Sequence, residues 1–218
     1  MTGLFVSVAQ MKGGVGKSTL TAQLAVACAA QGYKSKIVDI DRQASLLAWA
    51  GLRDQLTLKI VKEVSVEQGS GWRLPYISAR LLDECDLLFV DGASGRDDDF
   101  AAMTEIADLV LIPCQPTALD LWATKTLLVS NPGLRSKALV VLNRMPPRGK
   151  AATLIRQELV KLAWPMARHH LGNRQAYAAT LGAGLGVAEV ASASMAGQEI
   201  NALAAEIIER LEGVQLVA

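Results

Sequence analysis

The chain has 218 residues, of which 51% are hydrophobic, 20% charged and only 5% aromatic. That balance excludes disordered, collagen-like and mucin-like chains, and the length allows one α/β domain that buries roughly 70% of its unfolded surface without disulfide or metal staples. A formal charge of +1 excludes any global polybasic or acidic character, so affinity for nucleic acid or membrane has to come from a local patch.

Short β-branched apolar runs alternate with longer stretches of helical period. A strand is expected over Leu4–Gln10, then a helix over Lys17–Gln31, a strand over Lys36–Ile40 and a helix over Ala44–Leu52. The pattern continues with a strand over Leu56–Val61, a helix over Pro75–Glu84, a strand over Leu87–Asp91 and a helix over Phe100–Ala107. Strands over Leu109–Pro113 and Leu139–Asn143 flank a helix over Leu119–Ser130, and helices over Ala151–Ala163 and Gly197–Leu211 complete the series. Strands apolar on both faces, each followed by a helix, define a mostly parallel, twisted sheet with helices on both faces. No repeat or linker divides the chain, so a single domain over residues 1–218 is expected.

No apolar run approaches the ~18 residues a bilayer span needs, and Met1 leads into a strand-like segment without a signal peptide's charged start. The three cysteines, Cys28, Cys85 and Cys114, form no C-x-x-C pair and read as core thiols of a reducing compartment. A cytoplasmic protein with no membrane partner is the expectation. In such sheets ligands bind beyond the carboxyl ends of the strands, and four of those ends hold unusual residues: 10–14, 39–41, 91–92 and 143–144.

The first is the segment Lys12-Gly13-Gly14-Val15-Gly16-Lys17-Ser18-Thr19, between the first strand and the first long helix. Its glycines let successive N–H groups converge on an anion, and the helix N-terminus adds unpaired donors and partial positive charge. Lys17 can reach terminal phosphates and the Ser18 hydroxyl can ligate Mg²⁺. The phosphate loop G-x-x-x-x-G-K-[ST] normally opens on glycine; here Met11 stands there and Lys12 follows. That second lysine resembles the deviant Walker A motif of the ParA/MinD family of ATPases, a P-loop NTPase fold. The resemblance implies ATP and Mg²⁺ as cofactors, ATP hydrolysis to ADP and phosphate, and a Lys12 that crosses a dimer interface to the partner's nucleotide.

Asp39 and Asp41 end the second strand, two residues apart and so on one face of an extended chain. One can address the metal shell, Asp39, while the other, Asp41, orients the attacking water; an aspartate is too weak a base to do more at neutral pH. The family has Asp-x-Asp here, usually followed by Pro-Gln, where this chain has Arg42-Gln43. Asp91 follows Leu87-Leu88-Phe89-Val90 in a Walker B arrangement, a carboxylate delivered by a buried strand to hold Mg²⁺. Asp97-Asp98-Asp99 reads as a helix N-terminus whose acids suit the dipole. Asn143 matches the family's adenine-reading asparagine, since an amide offers both donor and acceptor.

Between Arg135 and Arg174 nine basic residues face one acid, Glu158, a surplus of +8 that would attract a phosphate backbone without reading sequence. The resemblance to the ParA branch implies non-specific DNA binding by the ATP-bound homodimer through this part of the chain, with Arg148 and Arg174 as the best matches and Lys150 and Arg168 beside them. His169 and His170 read as structural or rim residues, not ligands.

The leading expectation is a nucleoid-associated partition or positioning ATPase. A ParB-like or cargo-adaptor protein would stimulate its hydrolysis and release it from DNA, segregating a plasmid, a chromosome locus or a protein cluster. A MinD-like membrane-associated regulator is the alternative, opposed by the acidic residues Glu206, Glu209 and Glu212 near the end of the chain. An iron–sulfur reductase or a biotin-pathway synthetase on the same scaffold is a third class; the reductase would need paired cysteines in surroundings that Cys85 and Cys114 lack.

Overall fold

A computed structural model describes residues 3–57, 63–147 and 150–215. Its strands are β1 (Leu4–Val8), β2 (Ser35–Asp39), β3 (Val64–Gln68), β4 (Leu87–Asp91), β5 (Leu109–Cys114) and β6 (Ala138–Leu142). They form one sheet in the order β3-β2-β4-β1-β5-β6, and every pairing is parallel. The helices are α1 (Lys17–Ala30), α2 (Ser45–Arg53), α3 (Leu74–Leu82), α4 (Asp97–Glu105), α5 (Ala118–Ser130), α6 (Lys150–Lys161), α7 (Gln175–Gly182), α8 (Val187–Val190) and α9 (Met195–Gln215).

Side-chain alternation along the strands explains why both faces are apolar. In β4, Leu87 and Phe89 pack under α1, α2 and α9, whereas Leu88 and Val90 pack under α3, α4 and α5. The same parity sends Val6 and Val8 of β1 to the first layer and Phe5 to the second. Residues 22 and 24–28 of α1 are fully enclosed, because this helix lies between the sheet on one side and α8 and α9 on the other. All three cysteines are buried free thiols, as expected, and burial pushes Cys28 up to about 12 and Cys85 up to about 11.

Register brings the strand ends level: Val8 and Asp39 both pair with Asp91, so the segments leaving β1, β2 and β4 emerge side by side. The central strands fall within a residue or two of expectation. The third does not. Of the expected Leu56–Val61, Leu56 and Thr57 lie outside any strand and 58–61 are not among the residues described; the strand at the β2 edge of the sheet is Val64–Gln68. An edge strand paired only with β2 can alternate apolar and polar residues, and Val64-Ser65-Val66-Glu67 does so. Helices α7 and α8 were not expected; each is short, at eight and four residues. They are fixed by tertiary contacts, chiefly the buried Arg53–Glu189 ion pair that ties the end of α2 to α8.

Candidate nucleotide site

The segment after β1 folds as an open cradle. Gly14 and Gly16 take positive φ, 77° and 94°, and Gly16 supplies the N-terminal cap position of α1. Only glycine fits at 16: a Cβ there would lie 2.6 Å from the Asn143 amide nitrogen as well as being strained. Asn143, just past β6, donates from Nδ2 to the Val15 carbonyl at 2.8 Å, and its Oδ1 accepts from Arg144 N. The amide expected to read adenine thus braces the loop from behind: Asn143 is buried and does not line the pocket on this loop.

A pocket of about 360 Å³ opens on this loop, lined by Gly13, Gly14, Gly16, Lys17, Ser18, Thr19, Asp41, Gln43, Ser94 and Arg144. Val15 lies behind it, 1% exposed. Lys17 is buried and donates to Ser94 Oγ at 2.5 Å. Burial holds its ammonium below the ordinary lysine range, against the pull of Asp91 and Asp41. A compact positive group so poorly solvated is primed for a phosphate. The Ser18 hydroxyl donates to Asp91 Oδ2 at 2.5 Å, and the Thr21 hydroxyl reaches Asp91 Oδ1 at 3.4 Å.

Asp91 is 0% exposed, and burial drives its carboxyl up to about 7, with Asp39 and Asp41 adding repulsion while Ser18 and Lys17 oppose the rise. A buried carboxylate and a hydroxyl on adjoining oxygens fit a small, hard divalent cation, which would stabilise the charge that burial disfavours. Ser18 and Asp91 are therefore the residues suited to hold Mg²⁺.

Asp39 is placed differently from expectation. It too is fully buried, but Oδ1 accepts from Asp41 N and Oδ2 from Leu46 N, both at 3.0 Å, and it does not line the pocket. Its carboxylate shapes the turn into α2 and fixes where Asp41 stands; Asp41 alone of the pair faces the pocket. Lys12 also stays out of the pocket and pairs with Asp120 of α5 at 2.7 Å. The acids 97–99 open α4, as the dipole argument requires.

The basic segment needs correction. Arg174 pairs with Glu199 through two hydrogen bonds, and Arg168 pairs with Glu206 and Glu209, all three acids lying on α9. Counting residues 135–174 alone omitted these acids, and with them the surplus falls from +8 to +5. Arg148 lies outside the described residues, and Lys150 is the first residue of α6. Arg144 serves the pocket, reaching Gly14 O at 3.4 Å.

Sequence reasoning missed Gln43, Ser94 and Arg144 as pocket residues. Ser94 sits in the Gly-Ala-Ser-Gly turn after Asp91, a signal that was present but masked by the absence of the family's usual prolines. Arg144 takes φ 53°, a left-handed conformation no pattern announces.

A parallel sheet with a glycine cradle, a buried lysine and a strand-end aspartate beside a serine defines a P-loop nucleotide-binding protein. The model of the CobQ/CobB/MinD/ParA nucleotide binding domain family (CbiA) matches residues 6–214, and the chain belongs to that family. It is 29% identical over 213 residues to the maintenance of carboxysome distribution protein A of Halothiobacillus neapolitanus, covering 93% of this chain and 95% of that one. Among solved structures it resembles an ATP complex of a Cyanothece McdA variant, with TM-score 0.74, 15% identity and 97% of each chain covered. It also resembles Pyrococcus horikoshii MinD complexed with Mg-ADP, with TM-score 0.72, 18% identity, 97% of this chain and 98% of that one. At these identities the structural likeness shows the fold. Family membership and the donor set agree on ATP and Mg²⁺ as the cofactors.

Proposed function

We propose that this chain is an ATP-driven positioning ATPase whose subunits pair around two nucleotides, bind DNA without sequence preference and let go when a partner protein stimulates hydrolysis. The observation that carries the reading is the division of labour between two lysines on one loop. Lys17 turns into the pocket, while Lys12, only five residues away, stays outside it where a second subunit can receive it. The carboxysome-distribution relative supports a protein assembly as cargo over a plasmid or chromosome locus.

In this reading Lys17 neutralises the terminal phosphates, the loop N–H groups orient them, and Ser18 with Asp91 holds Mg²⁺, which supplies charge stabilisation at the phosphoryl oxygens. Asp41 orients the attacking water rather than removing its proton. A slow basal rate follows, because Asp41 stands on a turn half open to solvent until a partner orders it. DNA contact falls first to Arg148 and Lys150, because Arg168 and Arg174 are paired with acids of α9.

The test is DNA retention with ATP, with ADP and without nucleotide, across a salt series. Retention only with ATP, falling steeply with salt, is expected. Retention indifferent to nucleotide would remove the switch, and binding to anionic vesicles in place of DNA would favour a membrane regulator.

A further inference from the structure

Beneath the start of α5 lies a buried polar cluster that the phosphate pocket does not use. Asp120 is 2% exposed. Its Oδ2 accepts from Lys12 Nζ at 2.7 Å and from the Thr117 hydroxyl, while Oδ1 is buried with no hydrogen-bond partner among the described residues. Next to it Gln10 donates to Thr124 at 3.1 Å and leaves its own Oε1 equally orphaned. Gln10 lies just before the cradle in sequence, and Asp120, at the head of α5, is brought to it through Lys12.

Capping accounts for only part of Asp120. In the first turn of α5 its carboxylate suits the helix N-terminus and orients the Thr117 hydroxyl that accepts from Asp120 N at 3.1 Å, but neither role calls for a lysine from the loop after β1. Nor is the pair symmetric. The Lys12 side chain is 35% exposed and can swing to water, whereas the Asp120 side chain, at 2%, cannot follow. Separating them leaves a buried charge with one hydroxyl for company, the costly way to break such a pair.

We propose that Asp120 is a positioning residue that holds Lys12 within its own subunit, so that exposing this carboxylate sets the ATP level at which two copies join. The inference rests on the reading of Lys12 as the contact made across the dimer. A lone subunit keeps Lys12 docked; the partner's phosphates must out-compete a carboxylate already in place. Asp120→Asn keeps the size of the side chain and the backbone cap, and removes the negative charge that competes for Lys12.

The experiment is sedimentation velocity of the full chain titrated with a non-hydrolysable ATP analogue and Mg²⁺, for wild type, Asp120→Asn, Lys12→Ala and the double variant. The half-maximal nucleotide concentration for dimerisation should fall roughly tenfold in Asp120→Asn, the weight of one charge-assisted hydrogen bond. With Lys12 replaced by alanine the chain should stay single, and adding Asp120→Asn should not restore the dimer; a dimer restored by it would overturn the restraint. A midpoint unchanged or raised in Asp120→Asn, while wild type dimerises, overturns the restraint but leaves the dimer reading standing. Failure of wild type to dimerise at any concentration sinks both. Acylation of the nucleotide-free wild type, read by mass spectrometry, needs no variant: Lys12 should react several-fold more slowly than the exposed Lys125 of α5, and equal rates overturn the restraint.

Discussion

Asp91 sits where function and stability pull against each other, and the conflict can be measured. Its carboxyl is fully enclosed and pushed from an ordinary aspartate value of 3.8 to about 7, mainly by burial. The unfolded chain ionises first, so stability is highest below the unfolded value and is lost as pH rises towards the folded value. Between pH 5 and pH 8 the loss from this one group is about 2–3 kcal/mol, at 1.36 kcal/mol per unit of pKa. Asp91→Asn cannot ionise and escapes it. In EDTA, urea unfolding of the two proteins at both pH values isolates the effect, because titrating groups remote from Asp91 cancel in the difference. The asparagine variant should gain about 2–3 kcal/mol on wild type between pH 5 and pH 8, equivalent to roughly 5–10 °C in Tm for a chain of this size. Adding Mg·ATP at pH 8 should stabilise wild type and leave the variant unmoved. A stability difference that stays flat with pH, or moves the other way, would refute burial as the cause.

Gly16→Ala should cut ATP affinity at least tenfold by calorimetry, since its Cβ would collide with the Asn143 amide at a backbone angle of 94°; undiminished affinity would show that the brace is dispensable. Arg53→Met should lower unfolding free energy by about 3–5 kcal/mol in urea, because it takes the guanidinium away from the Glu189 carboxylate, whose side chain is 0% exposed. Arg174→Glu should destabilise the fold by setting two carboxylates against each other at α9, whereas Lys150→Glu should weaken DNA retention at unchanged Tm. The reverse pattern would return Arg174 to the DNA surface.

The phosphate loop was legible because its chemistry is local: glycines at fixed offsets, a lysine and a hydroxyl on the opening turn of one helix. Five of the six strands were legible for a related reason, being apolar on both faces over a continuous run. The strand β3 was not, because Val64–Gln68 alternates apolar and polar residues, is only partly buried and follows a more apolar run in the sequence. What sequence order cannot display is which distant residues meet. Arg168 and Arg174 looked like free charge until α9 folded back with Glu199, Glu206 and Glu209, and Asp39 looked like a ligand until α2 presented the Leu46 N–H to it. Asp120, 108 residues from Lys12 along the chain, meets it because β1 and β5 are neighbours in the sheet.

Whether nucleotide joins two copies of the chain is settled most directly by the mass of Asp41→Ala in solution. With turnover blocked and Mg·ATP saturating, sedimentation should give twice the subunit mass of 23.2 kDa, and the same protein carrying Lys12→Ala as well should stay single. A single subunit in the first case, with ATP demonstrably bound, would contradict the account at its root.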